Sequence, residues 1–293
     1  MEKLISPEEA FRIVKNQFPH LQDESVSLAS SSGRELAENI FSDRDQPPFH
    51  RVMMDGYAFQ IAAWEKGIRE FYVEGIQAAG EAPLTLKDEN GCIEIMTGAV
   101  LPNECSVVIQ YEKSIRKENV VHFQIEEVKH FQNVHAKGFD KKFGEIILKE
   151  GAVIGPLEMA CLASVGKARV KVKKRLSVAI VSTGNELVGP GEILKKGQIF
   201  ESNTNTLISA LSVYGFEANV SIVEDSYDLI RKKIENAIES NDLVLITGGI
   251  SVGDYDFVGK ILLDIDVKEK FYKVKQKPGK PLFFGQKGNT LIF

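Results

Sequence analysis

The sequence has few cysteines, no long hydrophobic run and no strong excess of one charge. Cys92, Cys105 and Cys161 are far apart and form no C-x-x-C pair, so we predict small core residues rather than a disulfide framework or a zinc site. The formal net charge is −5, which gives no support to a nucleic-acid partner, because such partners need a concentrated basic face. No apolar stretch approaches membrane-spanning length, which predicts no membrane partner.

The first residues are charged and carry no apolar run typical of a secretory signal. We therefore expect a cytoplasmic protein. At 293 residues the chain is long enough for two or three domains, each with its own core. A short basic run at 171–175 is better explained by a solvated strand edge or linker than by an RNA-binding patch.

Three hydrophobic patterns follow one another along the chain. Ser6-Pro7-Glu8-Glu9 predicts a helix start with Ser6 as N-cap. Between about residues 42 and 140, short β-type runs alternate with glycine, proline and asparagine turns, which predicts a small β-rich insert. From Leu176 onward, strands alternate with helices, which predicts an αβ region with a parallel sheet covered on both faces. The expected strands are 176–181, 218–223 and 243–246, and the expected helices are 204–214, 226–239 and the segment after 256.

The segment 247–256, which reads TGGISVGDYD, is the most informative one. It follows a buried-strand pattern and precedes a helical one, and its glycines allow the backbone to turn tightly and approach a ligand. The helix N-terminus beside it offers unpaired N–H groups to an anion. The candidate ligand-binding residues here are Thr247, Gly248, Gly249, Ser251 and Gly253. A tight turn with an aspartate cap is the alternative.

A second loop rich in hydroxyl groups ends the first strand of the αβ region and reaches the same sheet edge, so the two loops together define a pocket. Its candidate ligand-binding residues are Ser182, Thr183 and Gly184. Acidic side chains that converge on an anion site are typical of a divalent cation, most often Mg²⁺. The candidate metal ligands are Glu186, Asp225 and Asp256. For Glu186, a surface cap is the alternative role.

Two ammonium groups, Lys277 and Lys280, lie on a turn bounded by prolines. Such a turn holds positive charge in a fixed place for a phosphate or an oxyanion, although a solvated hairpin tip has the same pattern. In the β-rich part, Asp55 and Thr97 each stand immediately before a glycine. Taken alone, those two segments are ordinary turns.

Taken together, seven segments resemble the molybdenum insertases of molybdenum-cofactor synthesis, the bacterial MoeA and gephyrin E-domain family. They occur in family order and spread over most of the chain, which makes a chance likeness very improbable. The segments are Pro47-Pro48-Phe49 with Met54-Asp55-Gly56-Tyr57-Ala58; Ile95-Met96-Thr97-Gly98-Ala99 with Leu101-Pro102; Asn133-Val134 with Gly138-Phe139-Asp140; Ser182 to Leu187; Gly197-Gln198-Ile199 with Ser202-Asn203; Thr247 to Asp256; and Lys277 to Pro281.

The resemblance implies an α/β multidomain fold with a split helical/β linker domain, a β-rich inserted domain and an αβ molybdopterin-binding domain. The expected boundaries are 1–43 with 141–173 for the split domain, 44–140 for the insert and 174–293 for the αβ domain. The chain stops on a strand-like run, so we expect the αβ domain to be incomplete at its carboxyl end and the β-type fourth domain of the family to be absent.

The resemblance also implies an activity. A cytoplasmic homodimer would take adenylated molybdopterin from an upstream molybdopterin adenylyltransferase, insert molybdate with the help of Mg²⁺, and release molybdenum cofactor and AMP. In this family the active site lies between the αβ domain of one protomer and the β-rich domain of its partner. The residues with an implied catalytic role are Asp55, Thr97, Asp140, Glu186 and Asp225.

Three departures from the family pattern matter. The family commonly has arginine at the position of His135, an acid at that of Phe139 and a small polar residue at that of Val52. The departures at His135 and Phe139, and the expected loss of C-terminal elements, favour a second hypothesis: a non-catalytic molybdopterin-binding or scaffold protein that keeps the fold. A third hypothesis, a stand-alone nucleotide-binding αβ protein, is disfavoured by the β-rich insert.

Overall fold

The computed structural model describes residues 4–249 and 257–293. Within these ranges the α-helices, numbered in chain order, are α1 Pro7–Asn16, α2 Ile61–Glu65, α3 Pro156–Ser164, α4 Asn203–Val213, α5 Tyr227–Ser240 and α6 Phe257–Asp264. Two short 3₁₀ helices lie at Leu28–Ser30 and Tyr111–Lys113.

The strands of the described chain are short and are numbered in the same way. They are β1 Asp23–Ser27, β2 Ile40–Phe41, β3 Arg51–Val52, β4 Gly56–Phe59, β5 Glu70–Gln77, β6 Gly91–Ile95, β7 Val107–Gln110, β8 Ser114–Lys117, β9 Val120–Phe123, β10 Val134–His135, β11 Ile146–Leu148, β12 Arg169–Lys173, β13 Val178–Thr183, β14 Leu187–Val188, β15 Ile199–Phe200, β16 Ala218–Val223, β17 Leu243–Thr247, β18 Lys268–Tyr272, β19 Phe283–Lys287 and β20 Thr290–Ile292.

The chain divides into two compact units. Residues Met1–Ser25 and Lys171–Phe293 form one, here called the αβ unit, and Val26–Val170 forms the other, here called the β unit. The first 25 residues therefore group with the αβ region, whereas the sequence analysis assigned residues 1–43 to a split linker domain. The three-domain division stays a prediction.

The αβ unit contains a six-stranded mixed sheet in the order β16-β13-β17-β20-β19-β18. The first four strands are parallel, as the strand–helix alternation predicts. Strand β19 is antiparallel to both neighbours, so the expectation of a purely parallel-type sheet was too simple. The reason is local: β19 and β20 are joined by only two residues, and so short a connection forms a hairpin rather than a crossover.

Apolar side chains pack against both faces of this sheet. Helix α5 buries Ile230, Ile234 and Ile238, one every four residues, and they pack with α6 on one face. On the opposite face Phe284 packs with Ala10 of α1. The predicted start of α1 is confirmed: Ser6 Oγ accepts the Glu9 N–H at 3.2 Å.

The β unit is built on a six-stranded sheet in the order β7-β4-β6-β5-β9-β8. All its neighbouring strands are antiparallel except β5 and β6. Aromatic side chains fill much of its core, with the rings of Phe59 and Phe123 stacked at 4.8 Å between centroids. Two-stranded sheets complete the described chain: β1 with β12, β2 with β11, β3 with β10 and β14 with β15.

The cysteines behave as the sequence predicts. Cys92 and Cys105 are buried, Cys161 is partly buried, and all three are free thiols. Burial raises the pKa of the Cys92 thiol to about 12, so this side chain is a neutral core residue. No helix in the described ranges is long and apolar enough to span a bilayer.

The packing of α5 generates a stability prediction. Ile234 is fully buried beneath the sheet, so Ile234→Ala should lower the free energy of unfolding by about 2–5 kcal/mol through lost burial and a residual cavity. Urea denaturation followed by circular dichroism measures this. The matched control is Leu229→Ala on the same helix, since Leu229 is 49% exposed. An equal effect of the two variants would contradict the packing described.

Candidate functional site

Three parallel strands of the αβ unit end at one sheet edge, here called the carboxyl edge. Ser182 pairs in register with Thr247, and Thr183 pairs with Val223. The loops that follow β13, β16 and β17 therefore leave the sheet side by side. In open αβ sheets this is where ligands bind, and the structure brings the two predicted loops together there.

Of the three hydroxyl groups at this edge, those of Ser182 and Thr247 bond to each other, while Thr183 Oγ1 is buried without a partner among the described residues. Thr247 Oγ1 donates to Ser182 Oγ at 3.0 Å, and Ser182 Oγ in turn donates to Glu201 Oε1 at 3.5 Å. Ser182 is fully buried and Thr183 is only 3% exposed. These side chains are therefore placed to fix the loops, and the backbone N–H groups of the loops are the groups available to an anion.

The glycines of the third loop are required by close packing. Gly248 has a φ of 90°, and a Cβ at this position would lie 2.4 Å from the carbonyl oxygen of Thr183. Gly249 has a φ of 59°, and its Cβ would lie 2.7 Å from Val258. Only glycine permits this approach without displacing the backbone, so the loop after β17 sits directly against the end of β13.

The two described acidic candidates lie on adjacent loops. Asn185 and Asp225 bond reciprocally: the Asn185 N–H donates to Asp225 Oδ2 at 3.1 Å, and the Asp225 N–H donates to Asn185 Oδ1 at 2.9 Å. Glu186 is exposed, and its carboxylate lies over Gly184. The remaining predicted residues of this edge, Ser251, Gly253 and Asp256, lie outside the described residues.

Within the described ranges, no group of three or more acidic, histidine or cysteine side chains is arranged to hold a metal ion. Two carboxylates are nevertheless a suitable donor set for Mg²⁺, which commonly keeps several waters and binds one or two carboxylates together with substrate phosphates. Glu186 and Asp225 fit that mode of binding.

The predicted lysine turn also lies on the carboxyl edge. Strand β18 is antiparallel to β19, which is antiparallel to β20, so β18 runs in the same direction as β17. The connection that follows β18 contains Lys277 and Lys280, and both are exposed. Three strand spacings place it about 14 Å from β17 along the edge.

An open groove of about 800 Å³ borders α4 and β15. Its lining includes Glu201, Ser202 and Asn205, and Glu201 links the groove to the buried hydroxyl groups. Glu201 is 2% exposed and its Oε1 accepts the Thr204 N–H at 2.8 Å, while its Oε2 has no partner among the described residues. The sequence analysis missed Glu201, although an acidic side chain directly before a helix start is a recognisable capping signal.

In the β unit, the other motif segments are hydrogen-bonded to the segment from Arg51 to Gly56. The Val52 N–H donates to the Ala99 carbonyl, the Gly98 N–H donates back to Val52, and the Met53 N–H donates to the Asn133 carbonyl. These bonds bring together three candidate residues that are far apart in sequence: Asp55, Thr97 and Asp140.

Asp55 and Thr97 are in direct contact. Asp55 Oδ1 accepts hydrogen bonds from the Thr97 hydroxyl at 2.6 Å and from the Thr97 N–H at 2.7 Å. These bonds favour the ionised form and lower the pKa of Asp55, the hydroxyl contributing most. Asp55 Oδ2 makes no hydrogen bond to the described residues, which leaves an exposed carboxylate oxygen for a ligand.

Asp140 belongs to a short relay with His135 and Arg51. Arg51 Nη2 lies 3.1 Å from His135 Nδ1, and His135 Nε2 lies 3.1 Å from Asp140 Oδ1. Because a guanidinium can only donate, Nδ1 is the acceptor and Nε2 carries the proton that is donated to Asp140. Arg51 thus supplies a positive charge beside His135.

Comparison with known proteins identifies the family. The family model described as MoeA N-terminal region (domain I and II) matches residues 5–166, and that described as probable molybdopterin binding domain matches residues 179–293. This chain belongs to the MoeA family. The expectation drawn from the seven segments is confirmed.

Individual relatives agree. A molybdopterin molybdenumtransferase of Synechocystis sp. is 35% identical over 286 residues, which cover 96% of this chain and 73% of that protein. One from Staphylococcus epidermidis is 33% identical over 283 residues, covering 94% of this chain and 67% of that protein. The solved structure of a molybdopterin biosynthesis MoeA protein from Pyrococcus horikoshii matches with a TM-score of 0.81 at 28% identity, covering 99% of this chain and 73% of that one.

The hydrogen bonds of Asp55 generate a titration prediction for this MoeA protein. Thr97→Val removes the hydroxyl donor but keeps the N–H, so the pKa of Asp55 should rise toward its ordinary value. Because the folded pKa is lowered, ionisation of Asp55 stabilises the fold above the ordinary aspartate pKa, and this contribution is lost as pH falls through the folded pKa. Carbon-13 NMR titration of the Asp55 carboxylate measures the change.

Thr97→Ser is the control for that titration, since it keeps the donor and should keep the lowered pKa. If Thr97→Val and the wild type titrate at the same pH, the hydrogen bond does not set the pKa of Asp55.

Proposed function

We propose that this protein inserts molybdate into adenylated molybdopterin and releases AMP and molybdenum cofactor. The observation that carries the proposal is the meeting of the glycine loop, the buried hydroxyl groups and two carboxylates at one carboxyl edge, in a chain of the MoeA family. A polyanionic nucleotide needs backbone N–H groups, nearby positive charge and a counter-ion, and this edge offers candidates for each.

Each part of the edge has a proposed task. The N–H groups of Gly248 and Gly249, followed by Ser251 and Gly253, bind phosphate oxygens. Ser182, Thr183, Gly184 and Thr247 hold the loops in position through buried contacts. Lys277 and Lys280 add positive charge along the same edge and orient the anionic part of the substrate.

The carboxylates Glu186, Asp225 and Asp256 are the proposed Mg²⁺ ligands. When bound, Mg²⁺ neutralises the charge that develops as the phosphoanhydride is cleaved. Asp225 is held for this task by its two hydrogen bonds with Asn185, whereas Glu186 is exposed and free to turn toward an incoming ligand.

Asp55, Thr97 and Asp140 complete the proposed catalytic set. Thr97 holds one oxygen of Asp55, so the other is presented in a fixed direction. His135 holds Asp140 in the same way. Molybdate is an oxyanion and requires donors, which Arg51 can offer from this side.

The proposal includes a cytoplasmic homodimer in which one active site takes residues from both protomers, and an upstream molybdopterin adenylyltransferase that supplies the nucleotide. Its support is the family membership and the separate occurrence of the two residue groups in the αβ unit and the β unit.

Replacement of Glu186 tests the activity. Glu186→Gln should lower AMP release by on the order of a hundredfold, because it removes a negative charge that gathers the counter-ion. The assay mixes the purified protein with adenylated molybdopterin, molybdate and Mg²⁺, and measures AMP by chromatography and cofactor by reconstitution of an apo-enzyme. Glu239→Gln, at an exposed position of α5, is the charge-matched control and should keep wild-type activity.

Equal AMP release by Glu186→Gln and wild type would remove Glu186 from the mechanism. Tight molybdopterin binding without AMP release by the wild type would instead favour the second candidate, a non-catalytic molybdopterin-binding or scaffold protein. In its favour, the sequence resemblance implies an arginine and an acid at the positions that His135 and Phe139 occupy here. The Phe139 ring is 75% exposed and packs edge-on to His135 at 5.1 Å.

Mixing two inactive variants tests the shared site. Asp55→Asn and Glu186→Gln proteins, unfolded together and refolded, should recover about a quarter of wild-type AMP release, because half of the dimers are mixed and each holds one intact site. Each variant refolded alone is the control and should stay inactive. No recovery in the mixture, with dimers shown by light scattering, would contradict an active site formed by two protomers.

A further inference from the structure

A polar cavity of about 210 Å³ lies at the end of the αβ sheet opposite to the carboxyl edge. Its lining includes Leu176 just before β13, Asp242 just before β17 and Asn289 just before β20. The amino ends of parallel strands meet there, about 20 Å from the glycine loop for a strand of six residues. The cavity is therefore separate from the site proposed for the nucleotide.

The charge of this cavity is predominantly positive. Lys174, Arg175 and His20 line it, and within the described ranges none of their side chains forms a hydrogen bond or a direct ion pair. The one carboxylate in the lining is Asp242. Cationic side chains grouped around one cavity are suited to bind an anion through charge-assisted hydrogen bonds.

Asp242 is fixed and does not neutralise the cavity. Its Oδ2 accepts both the hydroxyl of Ser177 at 2.7 Å and the N–H of Ser177 at 2.8 Å. Although burial opposes it, these bonds and the nearby Lys174 lower the pKa of Asp242, so the carboxylate is ionised. The two cations Lys174 and Arg175 against this one carboxylate leave a net charge of about +1.

The Arg175 guanidinium occupies the space that a side chain on residue 215 would need. A Cβ on Gly215 would lie 2.5 Å from Arg175 Nη2 and 2.9 Å from its Cζ. The guanidinium therefore lies against the bare backbone at Gly215, where a larger residue would displace it. The planar fork of donors of a guanidinium suits the oxygens of a phosphoryl group, which it can bind through two hydrogen bonds at once.

We propose that this cavity, lined by His20, Lys174 and Arg175, binds the phosphoryl group of a small phosphate compound. Its volume corresponds to about seven water molecules, which accommodates phosphate or a short phosphate monoester but not a pterin nucleotide. Arg175 and Lys174 bind the phosphoryl oxygens, and His20 adds a donor. Amide groups of Gln22 and Asn289 lie in the same lining, and Asp242 Oδ1 accepts a hydroxyl group of the ligand.

The test follows His20 by NMR. The chain has five histidines, and the His20 imidazole resonance is assigned by its loss in His20→Gln. Inorganic phosphate and glycerol phosphate are titrated separately at constant ionic strength, with sodium chloride as the blank. We expect a saturable shift of the His20 signal with a phosphate compound and none with chloride. Tighter binding of glycerol phosphate identifies an organic phosphate ester, and equal binding identifies the free ion.

Arg175→Gln and Lys174→Gln should each weaken this binding about tenfold, the usual loss when a charge-assisted hydrogen bond is removed. A double variant of the carboxyl edge, Lys277→Gln with Lys280→Gln, is the matched control and should leave the His20 response unchanged. The control also separates this proposal from the proposed function, because the readout is local to the cavity and needs no turnover.

Two results would overturn the proposal. One is the absence of a saturable His20 shift with either phosphate compound. The other is an unchanged affinity in Arg175→Gln and Lys174→Gln whose folding is verified by thermal unfolding. In the second case Arg175 would serve only to offset the carbonyl dipoles where α4 ends.

Discussion

The close contact between Gly248 and Thr183 is the constraint on which the carboxyl edge depends. Parallel pairing of β13 with β17 brings the Thr183 carbonyl to the place where a Cβ of residue 248 would stand. A glycine with positive φ is therefore needed, and the loop it begins is pressed against the first strand. The bond from Thr247 to Ser182 and the bond from Ser182 to Glu201 extend this contact to the start of α4.

The same register gives the αβ sheet two ends with different chemistry. The carboxyl edge carries glycine loops and the exposed or half-exposed carboxylates of Glu186 and Asp225. The opposite end carries Lys174 and Arg175 around a small cavity. Since strands hold the two ends about 20 Å apart, an anion at one end does not compete with a ligand at the other for the same side chains.

In the β unit, backbone hydrogen bonds join the motif segments and a hydrophobic core packs beneath them. Residues Arg51 to Gly56 bond to the segments that carry Thr97 and Asn133, and side-chain bonds then fix Asp55 and Asp140. His135 links Arg51 to Asp140 in the same part of the β unit. Its Nδ1 accepts from Arg51 and its Nε2 donates to Asp140, so one imidazole joins the two charged side chains.

The sequence alone determined the local elements and the family. The start of α1, the alternation of strands and helices after Leu176 and the glycine motif all follow from periodicity, capping and turn chemistry, which act over a few residues. The antiparallel β19, the grouping of the first 25 residues with the αβ unit, the buried role of Glu201 and the cavity around Arg175 came only from the tertiary structure. Each depends on which distant segments pack together, and local sequence patterns do not specify that packing.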